Sequence, residues 1–266
     1  MTEWKLTNPR LITETSTSHV FKVALDGQEA VLKILTELGQ RDESDGAIAL
    51  RHFDGHGAAR LLNADEGAHL LSFVDGGFLK ELVTAGNDSG ATQIICDVLR
   101  RLHGSLSELP SGLRSMEENF RSLFAFAKAN PHDTMMAKAA RVAEHLLHTE
   151  QERVVLHGDV HHKNILECSQ RGWLAIDPKG LIGERAYDFA NVFYNPDDIP
   201  FIVERTERVQ KLGSAISDQL KTEPKRVLEF AFAFGCLSAC WAIEDGLNPA
   251  RRLRIAGMIN GLLEST

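Results

Sequence analysis

The sequence predicts an α+β fold of two lobes: a small, sheet-rich amino-terminal lobe over residues 1–75 and a larger, mainly helical carboxyl-terminal lobe over residues 76–266. Three observations predict it. Short apolar runs separated by turn residues fill the first quarter of the chain, and an apolar period of 3.6 residues takes over further on. Between the two lies Ser72-Phe73-Val74-Asp75-Gly76-Gly77, whose glycines suit a hinge.

In the first part, residues 19–25 and 29–35 flank Asp26-Gly27 and read as a β-hairpin. Because Gln28 follows the glycine, a bulged or longer loop is also allowed. Helical patterning covers residues 42–52, and residues 58–63 and 68–73 suit strands. In the second part the helical period shows in Ile94, Ile95, Val98, Leu99 and Leu102, then over residues 120–127 and 137–147. The longest apolar run, residues 230–243, has the length of a buried helix and is short for a membrane span.

A chain of 266 residues with 43% hydrophobic residues can bury a sizeable core. Its 37 acidic against 29 basic residues, a net charge of −8, weigh against nucleic acid and toward neutral or cationic partners. Cys96, Cys168, Cys236 and Cys240 form no CxxC pair, which fits a reducing compartment. The opening MTEWKLTNPR lacks the pattern of a secretory signal. The expectation is a soluble, cytoplasmic protein without a membrane or nucleic-acid partner.

The densest chemical signal is VVLHGDVHHKNIL at residues 154–166, a polar loop bracketed by apolar runs. Asp159 and Asn164 stand five positions apart, the step between the catalytic aspartate and the metal-binding asparagine of kinase loops. Residues 165–168, a turn and residues 173–176 then make a hairpin that returns the chain to the same cleft at Asp177. Phosphoryl transfer needs a proton acceptor for the attacking hydroxyl and Mg²⁺ against the phosphates. Asp159, with Asn164 and Asp177 as oxygen ligands, supplies those parts. Two other readings of the loop stay open. One is a transition-metal site built from His157, Asp159, His161 and His162; the other is a purely structural loop, with His157 as a brace.

Lys33 sits alone in the apolar run AVLKI and needs a negative partner if buried. In a kinase-like arrangement it contacts the α- and β-phosphates and pairs with a helical acid, best Glu43, with Glu37, Asp42 and Asp45 as competitors. As an isolated residue it reads more often as an edge or snorkelling lysine. The hydroxyl-rich residues 13–18, including Thr17 and Ser18, stand where a phosphate-covering loop would lie. They carry no GxGxxG and also suit an ordinary polar turn.

Together HGDVHHKN, IDPKG and LIGERAYDFANVFYNP resemble the aminoglycoside phosphotransferase family, nearest its streptomycin 6-kinase or aminoglycoside/hydroxyurea resistance kinase branch. The resemblance implies a bilobal protein-kinase-like fold, ATP and Mg²⁺, and transfer of the γ-phosphate to a hydroxyl. It implies Asp159 as base, Asn164 and Asp177 as metal ligands, and Lys33 with Glu43 at the phosphates. The backbone of Phe73 and Val74 would meet adenine, and Asp188 would organise the core under the site. Gly158, in place of the arginine of protein-kinase loops, and Pro178-Lys179 after the metal aspartate fit small-molecule kinases.

A streptomycin-like acceptor carries guanidinium groups that carboxylates can bind. Glu184, Asp197, Asp198, Glu244 and Asp245 are available, with Trp241 as an apolar wall. Each acid also suits plain surface solvation. Two alternatives to an aminoglycoside kinase remain: a kinase of the same fold acting on another metabolite, and a nucleotide-binding pseudokinase with an interaction role.

Overall fold

The computed structural model describes residues 4–104 and 108–265. Five strands form one antiparallel sheet: Thr7–Glu14 (β1), Ser18–Leu25 (β2), Gln28–Leu35 (β3), Leu61–Asp65 (β4) and Ala68–Ser72 (β5), in the order β1-β2-β3-β5-β4. The Asp26-Gly27 turn is the tight two-residue form. Both residues have positive φ, 49° and 82°, and Leu25 pairs directly with Gln28, so no bulge is inserted.

β1 is a strand that the apolar pattern does not announce. All eight of its residues are exposed, it pairs only with β2, and it carries Pro9 and irregular register. An edge strand with no buried face tolerates proline and leaves no alternation in the sequence.

The pattern at residues 42–52 resolves into two helices, Glu37–Glu43 (α1) and Gly46–Phe53 (α2). Thr36 caps the first, its Oγ1 accepting from Gly39 N–H. The junction packs against the backbone after Asp177. A Cβ at Gly46 would stand 2.3 Å from Pro178 O, so only glycine allows that approach.

The remainder is mainly helical. Lys80–Thr84 (α3) and Asp88–Leu102 (α4) come first, then Met116–Asn119 (α5), Arg121–Ala129 (α6) and Thr134–His148 (α7). Pro200–Val203 (α8), Thr206–Leu220 (α9), Pro224–Glu244 (α10) and Ala250–Glu264 (α11) close the chain. Small strands interrupt the helices: Arg114–Ser115 (β6), Arg153–Leu156 (β7), the hairpin Ile165–Cys168 (β8) with Gly172–Ala175 (β9), and Leu181–Glu184 (β10) between β6 and β7. A 3₁₀ helix, Arg185–Tyr194, follows β10.

The segment after β5 is stapled to the hairpin. Gly76 N–H donates to Glu167 O (2.9 Å), Glu167 N–H to Gly77 O (3.0 Å), and Leu79 N–H to Ile165 O (2.9 Å). Ser169 adds a side-chain bond to Asp75. The glycine-bearing segment is therefore part of the hairpin's hydrogen-bond ladder.

α10 is the core helix. By length and composition alone it could cross a membrane, but Phe230, Phe232, Cys236 and Leu237 are fully buried against the rest of the fold. Burying one such phenylalanine is worth about 1.5–3 kcal/mol. Pro224 stands in its first turn, where no N–H is needed. Its last turn closes when Leu247 N–H returns to Ala242 O, leaving Trp241, Glu244 and Asp245 at its carboxyl end.

Glu184 corrects one expectation. It is not at an acceptor site but buried at the end of β10, where its oxygens take Arg226 Nε (2.7 Å) and Nη2 (2.5 Å) from α10 and Gln151 N–H (2.9 Å). Nothing in its local sequence reveals a partner 42 residues away. Glu184→Ala strands the Arg226 charge, and urea unfolding should show a loss of about 3–5 kcal/mol.

Candidate functional site

The polar loop at residues 157–164 is held from below by one carboxylate. Asp188, on the 3₁₀ helix, accepts His157 N–H at Oδ2 (2.9 Å) and Gly158 N–H at Oδ1 (2.7 Å), and His103 Nε2 lies 2.8 Å from Oδ2. The His157 ring links the loop to the hairpin. Its Nε2–H donates to Ile176 O (2.9 Å) and its Nδ1 accepts Asp159 N–H (3.2 Å). One imidazole thus fixes the backbone of Asp159 and the residue before Asp177. Burial pushes His157 below the ordinary histidine value, despite the nearby carboxylates of Asp188 and Asp159, which favours the neutral ring this network uses.

Asp159 is part-exposed and its carboxylate is oriented by Asn191, whose Nδ2 donates to Oδ1 (2.9 Å). Asn191 is in turn gripped by Asn195 Nδ2, at 2.9 Å to its side-chain oxygen and 3.1 Å to its carbonyl. Asn164 Nδ2 donates to Asp159 O (3.0 Å), so its amide oxygen is the atom it offers to a ligand. Asp177 adopts a left-handed backbone, φ 61°. That is uncommon for a non-glycine residue and is tolerated best by Asp and Asn.

Lys33, buried in β3, makes an ion pair with Glu43 Oε2 at 2.5 Å and another with Asp177 Oδ1. Burial alone would lower the lysine. The carboxylates of Asp177 and Glu43 outweigh it and hold the ammonium above its ordinary value. Burial would likewise raise Asp177, but Lys33 holds it below the usual carboxylate range, with Lys179 and His157 adding to the effect. Of the acids considered for Lys33, Glu43 is the one that reaches it: Asp45 pairs with Arg114, Glu37 is exposed, and the side chain of Asp42 lies outside the described residues.

The other residues assigned to nucleotide are placed as follows. Thr17 and Ser18 close the β1–β2 turn, where Thr15 Oγ1 accepts both Thr17 N–H (3.3 Å) and Ser18 N–H (3.0 Å). Phe73 lies under Lys22, whose ammonium is 4.2 Å from the ring centroid. Val74 packs with Ala59 and Leu174, and with part-buried Leu166, Cys168 and Ile176, in an apolar cluster between β5 and the hairpin.

Asp159 opens on a cavity of about 800 Å³ that is also lined by Asp197, Trp241, Glu244 and Asp245. Lys163 holds Asp197 (2.8 Å) and Ser122 donates to Glu244 (3.1 Å). Asp198 points instead to Lys80, and Glu184 is far down in the core. The cavity wall also carries Arg114, Arg121, Lys179, Arg251 and Arg252, so it is polar with both signs of charge.

The transition-metal reading of the loop finds no donor set. Among the described residues no three His, Cys, Asp or Glu side chains converge to hold a metal, both nitrogens of His157 are engaged, and His162 is fully buried. Asn164 and Asp177 remain, a hard amide oxygen and a carboxylate, which suit Mg²⁺ with phosphates and waters completing its shell.

Asn191 and Asn195 join the site without a signal in the sequence that assigns them to it. They lie 32 and 36 positions beyond Asp159, Asn191 within the 3₁₀ helix and Asn195 just after its end.

A sequence model of the aminoglycoside/hydroxyurea antibiotic resistance kinase family matches residues 3–246. The streptomycin 3″-kinase of Klebsiella pneumoniae is 37% identical, over 98% of both chains. The streptomycin 6-kinase of Streptomyces griseus is 28% identical, over 87% of this chain and 76% of its own. A solved structure of a thermostable mutant of aminoglycoside phosphotransferase APH(4)-Ia, in ternary complex with AMP-PNP and hygromycin B, superposes with a TM-score of 0.63 at 18% identity, covering 98% of this chain and 95% of that one. The fold is thus that of the protein-kinase-like aminoglycoside phosphotransferases.

The Lys33 cluster sets a pH dependence. Asp177, lowered in the folded protein, contributes stability that is complete above the unfolded carboxylate value and lost as pH falls through its lower folded one. Lys33, raised, contributes below the ordinary lysine value and loses it as pH rises through its higher folded one. Urea unfolding of Lys33→Met against wild type should show the largest deficit between about pH 5 and 9, narrowing at both extremes.

Proposed function

The chain belongs to the aminoglycoside/hydroxyurea antibiotic resistance kinase family, and from that membership we propose that it moves the γ-phosphate of ATP to a hydroxyl of streptomycin or a close relative. One observation supports this above the others. Asp159 faces a polar cavity on one side, and on the other its backbone is tied through His157 to the strand end that carries Asp177 and the Lys33 ion pairs.

In this reading Asp159 accepts the proton of the acceptor hydroxyl as its oxygen attacks the γ-phosphorus. Asn191 holds Oδ1, so the carboxylate is oriented before substrate arrives, which is where much of the rate of such reactions comes from. Asn164 and Asp177 would hold Mg²⁺, which when bound neutralises phosphate charge. Lys33, kept charged and aligned by Glu43, contacts the α- and β-phosphates. The apolar cluster at Val74 receives the adenine.

On the acceptor side, Glu244 and Asp245 at the end of α10, with Asp197, offer carboxylates to guanidinium groups, and Trp241 offers an aromatic face to cations. The greater identity to the 3″-kinase makes the 3″-hydroxyl the position to examine first, with the 6-hydroxyl as the alternative.

Asp159→Ala should lower streptomycin-dependent ADP release by about 10²- to 10⁴-fold while ADP affinity stays within a few-fold of wild type. Equal loss of nucleotide binding would sink the assignment of Asp159 as base. Asn191→Ala frees the carboxylate and should cost about 10- to 10²-fold in kcat with little change in KM for ATP.

A further inference from the structure

Lys179 follows Asp177-Pro178, and its backbone is fixed beside the polar loop. Its N–H and that of Gly180 both donate to His157 O, at 2.8 and 3.2 Å. The stem lies against Gly158, where an added Cβ would come within 3.3 Å of Lys179 Cβ. From there the side chain reaches Glu43, with Nζ 3.4 Å from Oε1, while Oε2 of the same carboxylate holds Lys33 at 2.5 Å. Glu43 therefore spaces two ammonium groups across one carboxylate.

The two lysines differ in what else they face. Lys33 is buried and turned to Asp177. Lys179 has 35% of its side chain exposed and is the one lysine, among the described residues, lining the cavity on which Asp159 opens. Its contact with Glu43 is long for an ion pair, so it can be exchanged for a stronger anion at little cost. The ammonium thus reaches both the Lys33–Glu43 pair and the wall of the cavity on which Asp159 opens.

Resting on the phosphotransferase reading, we propose that Lys179 is a second phosphate-contacting lysine, whose ammonium meets the non-bridging oxygens of the γ-phosphate during transfer. In the step, the acceptor oxygen forms its bond to the γ-phosphorus as the bond to the β,γ-bridging oxygen breaks. ADP leaves with that electron pair, and the hydroxyl proton passes to Asp159. Lys179 keeps its protons throughout and offsets charge that spreads over the three equatorial oxygens. Lys33 stays with the α- and β-phosphates, and Glu43 keeps the two cations from drifting onto the same oxygen.

The test compares Lys179→Met, which keeps the stem and removes the charge, with Lys179→Arg, which keeps a charge. Two quantities are read on each: kcat with saturating streptomycin, and binding of Mg²⁺-ADP with and without aluminium fluoride, which with ADP mimics the transferring phosphoryl group. The Met variant should lose about 10²-fold in kcat with KM for ATP near wild type. It should bind ADP normally and lose at least about 10-fold in the extra affinity conferred by aluminium fluoride, with the Arg variant partly restoring both. A Met variant that keeps kcat and the fluoride effect within about threefold of wild type overturns the role and leaves Lys179 as a neutraliser of Glu43. The fluoride measurement needs no acceptor. A wild-type protein that phosphorylates no hydroxyl would therefore defeat the proposed function while the Lys179 comparison still reads.

Discussion

The buried carboxylate of Asp188 is the group on which the site depends. It takes the N–H groups of His157 and Gly158 and lies against His103 at the carboxyl end of α4, so separate stretches of chain meet on its two oxygen atoms. Hydrogen bonds to a charged acceptor are each worth about 1.5–3 kcal/mol net, and a buried amide left without one carries a comparable penalty. The loop is thus fixed by its backbone. The Asp159 carboxylate, oriented by Asn191, and the Asn164 amide oxygen remain to meet ligands, and His157 passes the constraint on to the hairpin and Asp177. Gly158 belongs to the same arrangement, since its φ of 82° turns the chain between the anchored His157 and the part-exposed Asp159.

A second constraint is charge balance across the sheet and the hairpin. Lys33, Lys179, Glu43 and Asp177 set two cations against two anions in a part-buried cluster. Without ligand the four neutralise one another. In the proposed reaction a polyanionic nucleotide with a divalent cation would replace those contacts in kind, with phosphate meeting the lysines and Asp177 offered to the metal. The cluster keeps charged groups ready in a place where an unpaired charge would be expensive. The cavity beyond Asp159 is built differently, with acids and arginines distributed around an aromatic wall, which suits an acceptor recognised by directional contacts more than by bulk charge.

Much of this was legible in the sequence wherever local pattern and chemistry coincide. The Asp26-Gly27 hairpin, the loop with its aspartate and asparagine, the hairpin to Asp177 and the apolar α10 each carry their signal within about a dozen residues. The lone lysine in an apolar strand announced its need for an anion, and Glu43 is the anion that meets it. What escaped the sequence is long-range or lacks a period. β1 has no buried face, the helix at residues 37–53 breaks where Gly46 meets the Pro178 backbone, and the 3₁₀ helix bearing Asn191 has no repeat to read. Glu184 looked like a free acid because its partner, Arg226, lies on a distant helix. The cavity beyond Asp159 is harder still to read, since its wall is drawn from α5, α6, α10, α11 and the 3₁₀ helix.

Together these groups are proposed to transfer phosphate to one hydroxyl of streptomycin. The most direct measurement is mass and phosphorus NMR analysis of streptomycin after incubation with purified protein, ATP and Mg²⁺. The expected result is a single monophosphorylated product formed in step with ADP, with the phosphate at the 3″- or the 6-hydroxyl. Unmodified streptomycin beside intact ATP, or ADP formed with no phosphorylated product, would contradict it.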